Sequence, residues 1–211
     1  MTTHWMDMTL RDFQAALASS SPTPGGGTAA AIALGQASAL AIMVSDLTLG
    51  NEKWKEGWEI AEKAVAIAIK VMNRAGDLAA EDSDSFDAVM SSFKLAKETE
   101  EDKATRRNTI RTATLNAAKV PFETACYALE LLEILPELAT KGNANAVSDV
   151  GVAGLLASAA CKGAFFNVQI NLDSIPEEMG QELRKEAPII YEKSRVLSRE
   201  VMDSVRDRLA N

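Results

Sequence analysis

The chain is 211 residues long, 47% apolar but only 5% aromatic, with a formal net charge of −8 and a pI near 4.8. This length suits a single domain, residues 1–211, that can bury a core without disulfides or a structural metal. The acidic balance excludes the basic stripe that nucleic-acid binding needs, and the alanine-rich, aromatic-poor composition favours helix over an all-β fold.

In chain order, the start MTTHWMDMTLRDF lacks the basic and apolar regions of a secretory signal, so a cytoplasmic protein is expected. A short amphipathic helix follows over about 9–18, with Leu10, Phe13 and Leu17 at helical spacing. SSSPTPGGG is a turn, where proline cannot extend a helix and glycine frees the backbone. A helix over about 27–47 comes next, and no charge falls between Asp12 and Asp46. Its alanine, glycine, Gln36 and Ser38 are poor material for a membrane span, so a buried core helix is expected and no membrane.

A helical region from Lys53 to about Phe93 follows, with a possible break near Gly76. The next begins in the charged run KETEEDKATRR and heads toward Leu138, with Pro121 expected to kink it or mark a junction. KGNANAVSD is a polar turn before a small-residue helix reaching Asn167 or beyond, and Pro176 is expected to open a last amphipathic helix that Pro188 kinks or splits. With no strand–turn–helix alternation, the pattern predicts an all-α antiparallel helical bundle. Small residues crowd both apolar helices, Ala29 to Ala37 in one and Gly151 to Gly163 in the other. Tight intrachain packing accounts for most of them, and a homodimer through these helices, Ala33 and Ala157 included, is expected as well.

The inventory for chemistry is narrow. His4 is the one histidine, and Cys126 and Cys161 lie in apolar helical stretches as reduced thiols, which leaves no Ser–His or Cys–His pair and no zinc cluster. PGGG is neither a Walker loop nor a dinucleotide fingerprint. Proton transfer therefore falls to carboxylates, lysines or water. If Leu78, Phe86, Val89 and Phe93 mark the apolar face of their helix, Asp82 lies on the same stripe. A carboxylate facing a core is costly when ionised, and a raised pKa suits acid–base work. The alternatives are an aspartate paired with a lysine, or a helix that rotates at Gly76.

Gly25, Gly26 and Gly27 stand at a helix N-terminus, where free N–H groups can hold an anion or simply permit a tight turn. Asn143, Asn145, Ser148 and Asp149 surround another helix start, as ligand groups or as caps. Asn167 and Asn171 interrupt the apolar run FFNVQINL. A continuous helix would hold Asp149 and Asn167 about 27 Å apart, so one small ligand head could not touch both within a subunit.

Three segments together carry a family likeness. SSSPTPGGGTAAAIALGQASALAIMVSDLTLG, then EDSDSFDAVM with KETEEDK, then GNANAVSDVGVAGLLASAACKGAFFNVQINL resemble, in order and spacing, the signature blocks of the formimidoyltetrahydrofolate cyclodeaminase and methenyltetrahydrofolate cyclohydrolase family. The chain is especially similar to the stand-alone bacterial cyclohydrolases. The resemblance implies an all-α homodimer with a folate site near the subunit interface, a tetrahydrofolate derivative as substrate, and no metal or other cofactor. It matches Asp82 to the aspartate assigned to proton transfer. One departure is KLAK at 94–97, where relatives commonly carry a proline before the second lysine. The glutamate tail of a folate needs a local basic cluster, and Lys97, Lys103, Arg106 and Arg107 are the densest candidates. The alternative is a solvated helix face paired with Glu100, Glu101 and Asp102. A helical interaction protein without catalysis is the reading of another class.

Overall fold

The computed structural model describes residues 5–210; His4 lies outside them. Among the described residues there are six α-helices and no strand: α1 (Leu10–Leu17), α2 (Gly26–Thr48), α3 (Trp58–Ser92), α4 (Glu100–Lys141), α5 (Val147–Asp173) and α6 (Gln181–Ala210). The expected all-α bundle forms. Short connections turn the long helices back on one another. The C-terminal ends of α2 and α4 therefore meet the start of α5, where Asn143 donates its side-chain amide to the Leu47 carbonyl and its backbone N–H to the Thr48 hydroxyl. α2 packs on α3 and α5, α4 on α3, α5 and α6.

Alanine sets the spacing of this bundle. Leu34, Val44, Val71, Leu131, Leu132, Leu135 and Val150 are fully buried, and between them Ala37, Ala41, Ala64, Ala68, Ala128, Ala153 and Ala157 are too. Small side chains on facing helices let the axes approach toward the short end of the usual 8–10 Å range. Gly154 extends this to contact with α6, and Gly151 faces Val205 of the same helix. α2 and α5 are each long and apolar enough to cross a membrane by length and composition, and half or more of each such window is buried inside the bundle.

Several expectations are corrected. α3 runs unbroken through Gly76, because glycine within a helix costs only about 1 kcal/mol. α4 continues through Pro121 and Pro136, so Pro121 marks no junction between two helices. The carbonyl that Pro121 leaves without its helical donor is that of Ala117, and the side-chain amide of Asn171 donates to it at 3.0 Å. α6 begins at Gln181 rather than at Pro176, since Gly180 adopts a left-handed φ of 68° just before it, and Pro188 does not split it. In α1 only Phe13 is buried, while Leu10 and Leu17 are exposed. Ala157, expected at a dimer interface, is fully buried within its own chain. Cys126 and Cys161 are free thiols, in line with the expectation, with Cys161 buried and Cys126 only half-buried.

The close approach at Gly154 gives a direct test. A methyl group there would lie 2.7 Å from Val201 Cγ1, in a site where Val201 is fully buried. Gly154→Ala is expected to lower the thermal unfolding midpoint, by an overpacking penalty of about 1–3 kcal/mol. Gly35→Ala, whose methyl would meet Ala75 Cβ at an ordinary 3.7 Å, is expected to leave the midpoint unchanged or raise it.

Candidate functional site

The N-terminus of α2 leaves its first backbone N–H groups without helical partners, and Gly25 at the N-cap offers no side chain to take them. Asp82 of α3 comes across to that end. The Thr28 hydroxyl donates to Asp82 Oδ2 at 3.0 Å, and the Thr28 backbone N–H also acts on the carboxyl. Gly27 makes the approach possible: a methyl on it would sit 2.6 Å from Asp82 Cγ. The glycine run thus receives a carboxyl group, and the carboxyl is the protein's own.

Burial pushes the Asp82 carboxyl above the usual carboxylate range, and the Thr28 hydrogen bonds offset part of that rise. Neither alternative from the sequence holds, since no ion pair to Asp82 occurs among the described residues and α3 does not break at Gly76. The expected stripe is also corrected. Phe86 and Phe93 are 39% and 48% exposed, and the buried face of α3 runs through Ala75, Leu78, Ala79 and Ser83. Asp82 sits on its margin, half-buried, where a proton can reach it.

Behind the carboxyl, the Thr28 and Ser83 hydroxyls lie 3.1 Å apart, and the Trp5 indole N–H donates to Ser83 Oγ at 3.0 Å. Thr28 and Ser83 are buried. These three residues were missed in the sequence. Thr28 had a signal, as a hydroxyl in the first turn after the glycines; Trp5 and Ser83 had none.

In front of the carboxyl is a cavity of about 240 Å³. Gly25, Gly26 and Gly27 form one wall, Asn167 and Asn171 another, and among the described residues Asp82 is the one ionisable side chain lining it. Its volume is below the roughly 300–1,000 Å³ that encloses a drug-sized ligand. It suits the reacting end of a larger molecule. A polar groove lined by Ser85, Asn108, Thr112 and Asn116 adjoins it through Ser85. A larger groove of about 640 Å³ between α4 and α6 has a mainly apolar surface around Pro188, Ile189 and Val196; Glu133, Glu192 and Lys193 also line it, and Glu192 is paired with Arg195. Polar groups converge at the smaller cavity, which is therefore the candidate site.

The other expected residues divide. Asn171 lines the cavity while holding the Ala117 carbonyl, and Asn167 donates to Gly163 of its own helix. Asn143, Asn145, Ser148 and Asp149 gather at the opposite end of the bundle. Asn143 caps the 3-10 turn Ala144–Ala146, and α5 is continuous from there to Asp173, so these four do not reach the cavity of their own chain. Arg106 is engaged, its guanidinium donating to the Phe93 carbonyl and lying over the Phe93 ring at 5.5 Å. Lys103 pairs with Glu100. Lys97 and Arg107 are exposed.

The family model described as formiminotransferase-cyclodeaminase matches residues 9–188. The methenyltetrahydrofolate cyclohydrolase of Methylorubrum extorquens is 33% identical over 95% of this chain and 97% of its own length. The formimidoyltransferase-cyclodeaminase of Rattus norvegicus is 29% identical over 84% of this chain, which spans only 33% of that longer protein. Among solved structures, the formiminotetrahydrofolate cyclodeaminase of Thermotoga maritima superposes with a TM-score of 0.80 at 27% identity, over 97% of both chains. The chain belongs to the formiminotransferase-cyclodeaminase family of enzymes.

Proposed function

We propose that this enzyme hydrolyses 5,10-methenyltetrahydrofolate to 10-formyltetrahydrofolate, with Asp82 as the group that moves the proton. The observation that carries the reading is a carboxyl with a raised pKa standing, among the described residues, as the one ionisable group of a cavity at a helix N-terminus. The bridging methenyl carbon is cationic and already electrophilic. Ionised Asp82 takes a proton from water as the new C–O bond forms at that carbon. It returns the proton to N5 as the C–N5 bond breaks, and the hydroxyl proton of the adduct leaves to solvent as the formyl C=O forms. One carboxyl alternates between base and acid. Cyclodeamination, in which N10 attacks a formimino carbon and ammonia leaves, is the second reading, favoured by the likeness to the Thermotoga maritima structure.

The remainder of the substrate would leave the cavity past Ser85 along the groove lined by Asn108 and Thr112, next to Arg107 in sequence. A homodimer is part of the same proposal. Val152, Leu155, Phe166 and Ile170 of α5 are 47–66% exposed and share one helical stripe, too apolar a surface to face water without a partner. Ile170 also lines the cavity, which would bring the site to the subunit boundary.

Asp82→Asn is expected to lower turnover of methenyltetrahydrofolate by about two or more orders of magnitude, the scale of losing an acid–base group. Loss of methenyl absorbance measures it, and near-normal turnover in the folded variant would remove Asp82 from the mechanism. The same variant should be more stable than the parent at neutral pH. A folded-state pKa above the unfolded one means stability that is present at low pH and falls as pH rises through that window, whereas asparagine stays neutral. The stability difference between the two proteins should therefore vanish on acidification below the ordinary aspartate range.

Leu155→Glu is expected to give monomers by sedimentation, while Ala157→Glu, at a fully buried position, should not fold. A parent protein sedimenting as a monomer at micromolar concentration would refute the dimer. For the tail, neutralising Lys97 and Arg107 together should raise KM with kcat nearly unchanged, the pattern of binding shared by ground and transition states. Added salt should shrink the effect. An unchanged KM with polyglutamylated substrate would place the tail elsewhere.

A further inference from the structure

The hydroxyl chain behind Asp82 has a direction that its chemistry fixes. An indole N–H can only donate, so Ser83 Oγ is an acceptor toward Trp5. An ionised carboxylate can only accept, so the single hydroxyl proton of Thr28 points at Asp82 Oδ2. In the contact between the two hydroxyls Thr28 has then no proton left to give, and Ser83 must donate to it. Every proton in the row Trp5–Ser83–Thr28 points toward Asp82. When Asp82 is neutral, the row is best kept with Oδ2 as the carbonyl oxygen, the stronger acceptor, and the acid proton on Oδ1, because a proton on Oδ2 would leave the Thr28 hydroxyl only the weaker hydroxyl-oxygen acceptor.

We infer that Trp5, acting through Ser83 and Thr28, is a positioning residue that holds Asp82 Oδ2 as an acceptor and reserves Oδ1, the oxygen packed over Gly27 at the cavity wall, for the exchangeable proton. The geometry isolates this effect. From α2 the carboxyl meets Gly27 and Thr28, from α5 Asn167 and Asn171 across the cavity, and from α4 Ala117. All are uncharged. Its acidic neighbour in sequence, Glu81, is tied to Arg74, which also holds Glu123 of α4. After burial, the largest influence on the carboxyl, the Thr28 donors and the hydroxyl row behind them bear on where and how readily Asp82 holds its proton. Half-buried Trp5 is held in turn by an edge contact with Phe13, ring centroids 6.4 Å apart. Through this contact the short N-terminal helix α1 supports the site without touching it.

The consequence for catalysis rests on Asp82 being the acid–base group, but the test does not. The Asp82 carboxyl can be titrated in the ligand-free protein by carbon NMR with aspartate labelled at the side-chain carboxyl, its signal assigned by its loss in Asp82→Asn. Thr28→Val removes the direct donor and is expected to raise the Asp82 pKa by about one unit or more, the scale of losing a hydrogen bond to a charged group. Trp5→Phe keeps the ring and loses only the N–H, and is expected to raise it by about half a unit, with Ser83→Ala between the two. The acidic limb of the kcat profile should move with the NMR value. An Asp82 titration unchanged in folded Trp5→Phe, or in Ser83→Ala should the first variant lose its helical circular dichroism, overturns the inference. A graded rise in a protein that turns over neither folate substrate upholds the row of donors and defeats the proposed reaction instead.

Discussion

The first turn of α2 has N–H groups to satisfy and no side chain of its own at the N-cap to satisfy them. Asp82 supplies the answer from another helix, 54 residues along the chain from its hydroxyl partner Thr28. Much of the site's construction follows from this contact. Gly27 must lack a side chain for the carboxyl to reach the helix end. α2 and α3 must run antiparallel and close, which their alanines permit. Thr28 must be buried, and so must the Ser83 hydroxyl that supports it.

Two opposing effects act on that carboxyl. Burial favours its neutral form, while the Thr28 donors and the positive end of the helix dipole favour the ionised one. The acid–base role proposed for Asp82 needs neither form to dominate. A fully exposed aspartate would be too acidic to return a proton, and one sunk among leucines without donors would not ionise. The position of Asp82 on the margin of the buried face of α3 places it between these extremes.

The far wall of the cavity is built by a different device. Pro121 cannot donate to the Ala117 carbonyl, and Asn171 of α5 fills the gap. One side chain therefore lets α4 continue as a single helix of 42 residues, fastens α5 to it, and places a polar group at the cavity. An asparagine in an apolar run has a structural reason here as well as a place in the site.

The sequence alone determined what depends on neighbours within a turn or two. The helical composition, the glycine and proline punctuation before α2 and the amide and serine turn before α5 are all of this kind. So was the separation of Asp149 from Asn167, which follows from helical rise once α5 is continuous. Periodicity also singled out Asp82, but on a stripe through Phe86 and Phe93 that the fold leaves exposed. The tertiary structure decided whatever needed a partner from elsewhere in the chain. Pro121 looks like a break until Asn171, 50 residues on, occupies its carbonyl. Arg106 looks like a free cation until the end of α3 folds back onto it. Ala157 looks like interface material until the neighbouring helices bury it. Trp5 carries no local signal at all, because its indole matters only through the one hydroxyl it meets, on a helix 78 positions away. Local propensity is written in adjacent residues, whereas the satisfaction of a buried polar group is settled by whichever distant segment the packed core brings within 3 Å of it.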